Sequence, residues 1–344
     1  MTALSPRYPS LCWLLCGGAL LAGCDMVVLR PSGYVATQQS HLVVMSTLLM
    51  LLIIVPVIVL TLAFAWRYRA SNTAARYTPD WDHSVQLELL IWAAPLLIII
   101  LLGALTWIGT HTLDPYRPLT RIDATRPLPD GTEPLVVEVI ALDWKWLFIY
   151  PDLDIAVVNE LAAPVDVPIR FKITASSVMN SFFIPALAGQ IYAMPSMETT
   201  LHAVINRPGE YVGFSANFSG AGFSDMRFKF LGMSNADFER WVSKAKGEGT
   251  VLSRNDYLRL ERPSERERVR RFSTVARDLF DAVANRCVEQ GKTCLRDMMP
   301  MEMHRASRSP SLRDPGAWNP FGAAAICTAD NAARSALLPN TYLD

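Results

Sequence analysis

Two long apolar stretches dominate the first third of the chain. Leu42–Trp66 is 25 residues without a charge, and Leu89–Thr110 is another 22. At 1.5 Å of rise per residue, each is long enough to cross a hydrocarbon core of about 30 Å. We therefore predict membrane helices at 42–66 and 89–110, joined by a loop at 67–88. Two buried helices of a soluble protein are the alternative.

A shorter apolar run, Leu11–Leu21, follows Arg7 near the N-terminus and ends in the sequence Leu-Ala-Gly-Cys. Such a run is too short to span a bilayer and is typical of a secretory signal. Small residues before a cysteine also resemble the bacterial lipobox, in which the chain is cut before the cysteine and the cysteine is acylated. We predict a signal peptide at 1–23 and lipidation of Cys24. An ordinary signal peptide with an incidental cysteine is the alternative.

The exported N-terminus fixes the predicted orientation. The segment 24–41 lies outside, the loop 67–88 lies in the cytoplasm, and the chain beyond the second span lies outside again. The cytoplasmic placement agrees with the arginines at 67, 69 and 76, although arginines also follow the second span. Asp25 after the cysteine resembles an inner-membrane retention signal, so the expected location is the bacterial inner membrane.

From Glu133 onward the apolar pattern changes to period two. Short β-branched and aromatic runs are separated by turns with Pro and Gly. The runs are Leu135–Ile140, Trp144–Tyr150, Val165–Thr174, Thr199–Ile205 and Tyr211–Phe214. Several short strands with this spacing predict a β-sandwich. We place the sandwich at about 133–233, within an outer domain of 111–233.

The pattern after the sandwich is helical. Ser234 and Asp237 resemble a capping box that begins a helix to about Lys246, ended by the glycines at 247 and 249. A second box, Ser264 and Glu267, precedes apolar residues at helical spacing and predicts another helix packed on the sandwich. Those residues are Val269, Phe272, Val275, Leu279, Phe280 and Val283. We expect a helical arm at 234–290 and a loose tail at 291–344.

Charge and cysteine content narrow the function. The 32 basic and 32 acidic residues balance, so no nucleic-acid partner is indicated. No cysteine lies between Asp25 and Arg286. The cysteines left after the signal and lipidation sites are Cys287, Cys294 and Cys327, in a compartment where disulfides persist. At most one intramolecular pair can form, and we favour Cys287 with Cys294 because they are close in sequence.

Four stretches carry a family resemblance: AWRYRASN at 65–72, TPDWDHSVQLELLIWAAPLLIIILLGALTW at 78–107, DWKWLFIYP at 143–151 and SANFSGAGFSDMRFKF at 215–230. With the lipobox, the two apolar spans and the β pattern, they resemble subunit II of the haem-copper terminal oxidases, and within it the bo-type ubiquinol oxidases. The resemblance covers about residues 20–285. It implies a two-helix membrane hairpin, an exported cupredoxin-like Greek-key sandwich and a C-terminal helical extension.

Cytochrome c oxidases of this superfamily hold a dinuclear copper centre in the same sandwich, on a loop with the pattern C-x-E-x-C-x-x-x-H-x-x-M. Set on this chain, the two cysteines fall on Ser215 and Ser219, and the Glu falls on Asn217. The His falls on Phe223, and the Met falls on Met226. The spacing is kept, but four of these five ligands are replaced.

A further copper ligand, a His from an earlier loop, falls on Asn180. A delocalised copper pair needs soft thiolates, and serine hydroxyls do not replace them. His202, Met194 and Met197 remain in the domain, and we interpret them as packing residues. The resemblance therefore implies no metal in this chain, with Phe218 and Phe223 filling the space of the lost site.

For function, the resemblance implies subunit II of a proton-pumping ubiquinol oxidase without a redox centre of its own. It places the quinol site, the haems and the remaining copper in subunit I. The implied partners are subunit I, the other oxidase subunits and membrane lipid, and not cytochrome c. A cytochrome c oxidase subunit II, which the missing thiols argue against, and a free-standing membrane-anchored lipoprotein with a cupredoxin-like binding module are the alternatives.

Three further residues receive roles from the resemblance. A Glu at the place of Glu88, one turn before Trp92, sits in the family near the mouth of a proton path into subunit I. A carboxylate at a helix N-terminus is also favoured by the helix dipole without any proton traffic, so both interpretations stand. In copper-bearing relatives the strand of Trp144 and Trp146 faces the electron donor. Here we expect both to be structural, in sandwich packing or in contact with subunit I.

Overall fold

The computed structural model describes residues 26–76, 78–129 and 131–298. The predicted signal peptide, Cys24, Cys327 and most of the predicted tail lie outside these residues. The described part up to Leu295 belongs to one compact unit.

The two apolar stretches form long helices, α1 (Tyr34–Arg67) and α2 (Val85–Thr112). Both are long and apolar enough to cross a membrane. Each helix starts earlier than its apolar stretch, because the polar residues before Leu42 and before Leu89 continue the same backbone hydrogen-bond pattern. Apolarity thus predicted the segment suited to a bilayer rather than the helix ends. The helices approach closely where Gly109 packs on Leu42, since an added Cβ at Gly109 would lie 2.9 Å from a Leu42 methyl carbon.

The start of α1 is fixed to the β domain through backbone contacts. The Ser32 and Gly33 amides both donate to the Ala186 carbonyl at 2.9 Å, and the Asn206 amide donates to the Ser32 carbonyl. Gly33 forms a β-bridge with Ile205. A Cβ at Gly33 would lie 2.5 Å from the Leu187 carbonyl oxygen, so glycine permits this close approach. The helix hairpin and the β domain therefore share a defined junction.

Within residues 26–76, 78–129 and 131–298, twelve strands form two sheets. The strands are β1 (Leu135–Leu142), β2 (Lys145–Tyr150), β3 (Ile155–Val158), β4 (Glu160–Pro164), β5 (Pro168–Ala175), β6 (Asn180–Phe183), β7 (Ile191–Ala193), β8 (Thr199–Val204), β9 (Gly209–Ser215), β10 (Arg227–Met233), β11 (Thr250–Leu252) and β12 (Arg270–Val275). The first sheet has the order β11-β12-β3-β2-β1-β5-β8, and the second has the order β4-β10-β9-β6-β7. The two-sheet domain predicted from the period-two pattern is confirmed.

Aromatic side chains fill the space between the sheets. Trp146, Phe148, Phe182 and Phe228 are all buried there. The rings of Phe182 and Phe228 stack at 5.5 Å, and Trp146 meets both edge-on. The packing interpretation of Trp146 is therefore confirmed.

Three short helices follow or flank the last strands: α3 (Asn235–Glu248), α4 (Arg254–Leu260) and α5 (Leu279–Ala284). The helix start predicted at Ser234 is confirmed, with the Asp237 amide donating to Ser234 Oγ. The reciprocal half of the predicted capping box is not formed, because the Asp237 carboxylate accepts from the Ser234 hydroxyl rather than from its amide. Tyr257 of α4 and Phe280 of α5 are buried in a second, smaller core on the other side of the first sheet. The C-terminal region thus covers a sheet face that would otherwise be exposed.

The helix predicted from Ser264 to Val283 is wrong in its first part. Ser264 Oγ donates to Glu267 Oε2 at 2.9 Å and accepts from Lys145 Nζ, so it caps no helix. Residues 270–275 form strand β12, which pairs with β3 and β11. Phe272 is buried between exposed or half-buried neighbours, which is a strand pattern. Only α5, at Leu279–Ala284, is helical in this stretch.

A buried ion pair joins the C-terminal region to the sandwich. Glu160 Oε1 accepts from Trp241 Nε1 at 2.9 Å and from Arg271 Nη2 at 2.7 Å. We refer to Glu160, Trp241 and Arg271 as the Glu160 seam. It connects β4, α3 and β12, and so links both sheets with the first helix after the sandwich.

Cys287 and Cys294 form a disulfide next to the second core. The favoured pairing of the three late cysteines is therefore confirmed. Cys327 lies outside the described residues.

Candidate functional site

The six positions that correspond to copper ligands in the resembling family come together at one end of the second sheet. Asn180 begins β6, Ser215 ends β9, and the following loop leads to Met226 just before β10. β6 and β9 pair, with Phe182 opposite Ser215. We refer to Asn180, Ser215, Asn217, Ser219, Phe223 and Met226 as the copper-loop positions.

Ser215 lies at the centre of these contacts. Its Oγ is 3.0 Å from Asn180 Oδ1 and 3.1 Å from the Asn217 carbonyl oxygen, so its single proton is donated to one of them at a time. The Ser181 amide lies 3.4 Å from the same hydroxyl oxygen. Both Ser215 and Asn180 are buried. A hydroxyl–amide pair thus stands where the family pattern places a thiolate and an imidazole.

The remaining polar positions extend this contact network. Asn217 Nδ2 donates to the Phe218 and Met179 carbonyls, at 3.2 and 3.4 Å. Ser219 Oγ lies 3.9 Å from the sulfur of Met226, which is buried. Each of the polar positions therefore has a partner within the loop or on the neighbouring strand.

The prediction that Phe218 fills the lost site is wrong. Phe218 is 75% exposed and meets Phe223 edge-on at the surface, with ring centroids 5.6 Å apart. Phe223 is half-buried. The buried side chains at this end of the sheet are instead those of Ser215, Asn180 and Met226, and Ser215 and Asn180 contact each other directly.

The indole side chain of Trp144 packs against the loop that carries the copper-loop positions and stabilises it. The ring lies against Gly220 and Gly222, where added Cβ atoms would come within 3.0 and 2.6 Å of its carbons. Its Nε1 donates to the Ser219 carbonyl at 2.9 Å. Gly220 also has φ +114, which disfavours any side chain. Trp144 precedes β2 rather than lying in it, and its role here is to support the loop.

The buried amine of Lys145 stabilises the turn that carries Trp144 through three hydrogen bonds. Lys145 is 1% exposed, and its Nζ donates to Ser264 Oγ at 2.7 Å and to the Arg262 and Asp143 carbonyls at 2.8 and 3.1 Å. Burial lowers the pKa of Lys145. The sequence does not reveal the burial of Lys145, because a lysine within a strand pattern gives no signal of burial.

The donor set of the copper-loop positions does not fit a dinuclear copper centre. It offers hydroxyl and amide oxygens and one thioether, whereas such a centre needs bridging thiolates and imidazoles. Among residues 26–76, 78–129 and 131–298, no group of three or more His, Cys, Asp or Glu side chains could hold a metal ion. The loop can therefore form hydrogen bonds and packing contacts, but apart from the Met226 thioether its side chains do not match the ligand set of a dinuclear copper centre.

The other metal-capable residues are not part of this loop. His202 is on β8 of the first sheet, opposite Arg170. Burial, with a further contribution from the Arg170 charge, lowers its pKa. Met197 is exposed, and the Met194 carbonyl accepts a hydrogen bond from Thr174. The interpretation of these residues as packing residues stays a prediction.

Glu88 lies far along the chain from this loop, in the first turn of α2. Its amide donates to the Ser84 carbonyl at 2.9 Å, and its Oε2 is 3.6 Å from His83 Nδ1. The neighbour His83 was not singled out in the sequence. The sequence could have indicated this contact, because His83 is a titratable residue only five positions before Glu88.

Comparison with known proteins decides between the families considered. The family model of the cytochrome c oxidase subunit II periplasmic domain matches residues 150–230, and that of the COX aromatic rich motif matches residues 246–291. The cytochrome bo(3) ubiquinol oxidase subunit 2 of Pseudomonas putida is 47% identical over 282 residues, covering 81% of this chain and 87% of the relative.

This chain belongs to the ubiquinol oxidase subunit 2 family. The corresponding subunit of Pseudomonas aeruginosa is 47% identical over 292 residues, or 85% of each chain. That of Acetobacter aceti is 48% identical over 269 residues, or 78% of this chain and 85% of the relative. A crystal structure of the periplasmic domain of cytochrome oxidase subunit II from Bradyrhizobium japonicum aligns with 35% of this chain and 96% of its own length, at 23% identity and a TM-score of 0.32.

The C-terminal region of this ubiquinol oxidase subunit 2 family member matches the COX aromatic rich motif. The aromatic rich motif spans the stretch from the end of α3 through α5. In this member of the family, the motif adds strands β11 and β12 to the first sheet and buries Tyr257, Phe272 and Phe280 against it. The region beyond the sandwich is thus part of the folded domain rather than a separate arm.

Proposed function

We propose that this chain is subunit II of a proton-pumping ubiquinol oxidase and carries no redox centre of its own. The observation that supports this most directly is that five of the six copper-ligand positions carry a hydroxyl, an amide or a phenyl ring in place of the family's ligands. The names of the relatives point to the same kind of complex. In this proposal the quinol site, the haems and the copper belong to subunit I.

The structural role in this proposal is assembly and coverage of subunit I. Helices α1 and α2 pack against subunit I in the membrane, and the β domain covers its outer face. The fixed junction at Ser32, Gly33 and Ala186 suits this role, because it transmits the position of the helices to the domain. Subunit I, the other oxidase subunits and lipid are the proposed partners, whereas cytochrome c is not.

Purification of the tagged full-length chain from its own membranes tests this function. We expect a haem-bearing multi-span protein to co-purify and the complex to reduce oxygen with ubiquinol but not with reduced cytochrome c. Purification of the chain without haem would instead support a free-standing lipoprotein. Oxidation of cytochrome c would support a cytochrome c oxidase.

Restoring the ligands tests the absence of a redox centre in the loop. The complete chain would carry Asn180→His, Ser215→Cys, Asn217→Glu, Ser219→Cys and Phe223→His, with Met226 unchanged. Because these positions already converge, we expect the variant to bind two coppers that share one unpaired electron, visible by electron paramagnetic resonance. The unaltered chain should bind none. A folded variant that takes up one copper or none would contradict the proposal that this loop keeps the copper-site geometry.

For the membrane arrangement, we propose lipidation of Cys24 after removal of residues 1–23, with the β domain in the periplasm and 67–88 in the cytoplasm. Two helices with uncharged stretches of this length support a two-span arrangement. Mass spectrometry of the mature N-terminus should find a diacylglyceryl group on Cys24. An unmodified cysteine, or a chain that begins before it, would exclude the lipid anchor.

For proton transfer, we propose that Glu88 takes up protons on the cytoplasmic side. Its position in the first turn of α2 supports this role, since ionisable residues at membrane helices are candidates for proton relays. Glu88→Gln should slow oxygen reduction with unchanged haem content, and Glu88→Asp should retain more activity. Wild-type turnover of Glu88→Gln at all pH values would leave only the helix-dipole interpretation.

A further inference from the structure

The first turn of α2 holds a second titratable group beside Glu88. His83 precedes the helix, and its side chain folds back so that Nδ1 lies 3.6 Å from Glu88 Oε2. The residue between them that begins the helix, Ser84, makes no side-chain capping bond. The contact to the first turn therefore comes from the imidazole of His83.

Both partners of this contact reach water in the isolated chain. The side chain of His83 is 62% exposed and that of Glu88 is 57% exposed. A distance of 3.6 Å is longer than a direct hydrogen bond, but a small side-chain rotation would bring the two atoms into hydrogen-bond range. The two groups therefore lie one rotation away from a donor–acceptor contact, and both are connected to solvent.

Other charged side chains near the start of α2 do not compete for the contact between His83 and Glu88. The other charged groups at this end of the hairpin are Arg67, Arg69, Arg76, Asp80 and Asp82. Within the described part of the chain, none of them forms an ion pair with His83 or Glu88. Arg69 donates instead to Ser71 Oγ and to the Trp66 carbonyl. The imidazole is thus the titratable side chain that directly faces the Glu88 carboxylate.

We propose that His83 collects protons from the cytoplasmic water and passes them to Glu88. This inference rests on the proposed role of Glu88 in proton uptake. The Nδ1–H bond of the imidazolium breaks, the proton moves to Glu88 Oε2, and the neutral imidazole is protonated again from water. An imidazole suits this step because its ring nitrogens can both accept a proton from water and donate one to a carboxylate.

The test is the pH dependence of quinol-driven oxygen reduction by the purified complex. We expect His83→Gln to lower turnover between about two- and tenfold above neutral pH, less than the ~10²-fold loss of a catalytic acid, because water still reaches Glu88. At acidic pH, where protons are plentiful, turnover should approach that of the wild type. Added imidazole should restore the alkaline rate, which a purely structural role would not allow.

Three matched variants sharpen the result. His83→Lys keeps a positive charge but does not release its proton near neutral pH, so it should behave like His83→Gln. The double variant His83→Gln with Glu88→Gln should be no slower than Glu88→Gln alone, because both act in one path. His111→Gln, at the other end of α2, should leave the pH profile unchanged.

The outcomes separate this inference from the role of Glu88. If Glu88→Gln slows turnover while His83→Gln matches the wild type at every pH, the role of His83 is excluded and that of Glu88 stands. If His83→Lys matches the wild type, His83 supplies only a charge, and proton transfer through it is excluded. If Glu88→Gln itself has no effect, both roles are excluded.

Discussion

The copper-loop positions and the Glu160 seam are both polar clusters at the edge of the sandwich, but they are built differently. In the loop, Ser215 and Asn180 are neutral, and their contacts are 3.0 Å or longer. In the seam, a carboxylate accepts from Arg271 at 2.7 Å and from Trp241 at 2.9 Å, and the ion pair is mostly buried. One cluster joins residues around a single loop, whereas the other joins both sheets to α3.

This difference indicates how much stability a substitution should cost in each cluster. A neutral hydrogen bond contributes about 1 kcal/mol, so a ligand position can change to serine or asparagine at small cost. A buried ion pair whose partner is removed leaves an uncompensated charge, which costs several kcal/mol. Substitutions at the copper-loop positions should therefore cost less stability than removal of a charge from the seam.

Removal of the seam carboxylate should have the largest effect. We expect Glu160→Ala to reduce the free energy of unfolding by about 3–5 kcal/mol, because Arg271 and the Trp241 N–H lose their buried acceptor. The measurement is the thermal unfolding midpoint of the purified chain in detergent. Glu248→Ala is the control, since Glu248 also faces Arg271, at 3.6 Å, but is exposed. It should cost no more than about 1 kcal/mol. Equal losses in both variants would contradict the role given to the seam.

Adding a methyl group where Trp144 packs against the loop should have the next largest effect. Gly222→Ala places a Cβ 2.6 Å from the indole carbons, so the ring must move and its bond to the Ser219 carbonyl is strained. We expect a loss of about 1–3 kcal/mol.

Two variants check this explanation of the Gly222→Ala effect. Gly247→Ala, in α3 with no atom within 4 Å of the new methyl group, should be neutral or stabilising. Trp144→Ala should remove most of the additional cost of Gly222→Ala. Independent, additive losses would show that the ring does not support the loop.

Much of the fold could be predicted from local pattern, and the exceptions have physical reasons. The apolar spans and the period-two runs gave the helices and five of the strands, because each is determined within its own segment. Strand β12 was predicted as a helix because Phe272, Val275 and Leu279 also fit a helical spacing. Its pairing with β3 depends on residues more than a hundred positions away, which local pattern does not contain.

The candidate site was predictable in position but not in its contacts. The family spacing located all the copper-loop positions, and the structure brings them together. The support from Trp144 and the exposure of Phe218 depend on the three-dimensional path of the loop, so spacing alone misassigned the filler. The buried Lys145 was missed for the same reason, since its acceptors lie near residue 264.

Glu138 is a second partly buried carboxylate of the β domain, and it does not contact Arg271 or Trp241 as Glu160 does. It lines a cleft of about 270 Å³ together with Asp281. Burial raises its pKa to about 7; the Lys172 charge opposes the shift, and Asp281 adds to it. The folded state therefore holds this proton between the ordinary value of 4.5 and about pH 7, while the unfolded chain releases it. Stability is lost as pH rises through this window, and the full cost is present above it.

Glu138→Gln should remove that cost. We expect a gain of about 1 kcal/mol above neutral pH, allowing for solvent screening of a half-buried group, and no gain near pH 4. Unfolding midpoints measured across this pH range provide the test. The exposed Glu133→Gln should show no such dependence. A gain for Glu138→Gln that is equal at all pH values would mean that the amide simply packs better.

The smallest effect is expected inside the loop. Ser215→Ala removes the hydroxyl that bonds to Asn180 or to the Asn217 carbonyl, and should cost about 1 kcal/mol of unfolding free energy. The quinol-driven rate of the assembled oxidase should stay at the wild-type value, because the proposed function places no redox centre in this loop. Ser224→Ala, exposed in the same loop, is the control for stability and should change neither quantity. A loss of oxidase activity in Ser215→Ala without a loss of stability would contradict the purely structural role of this loop.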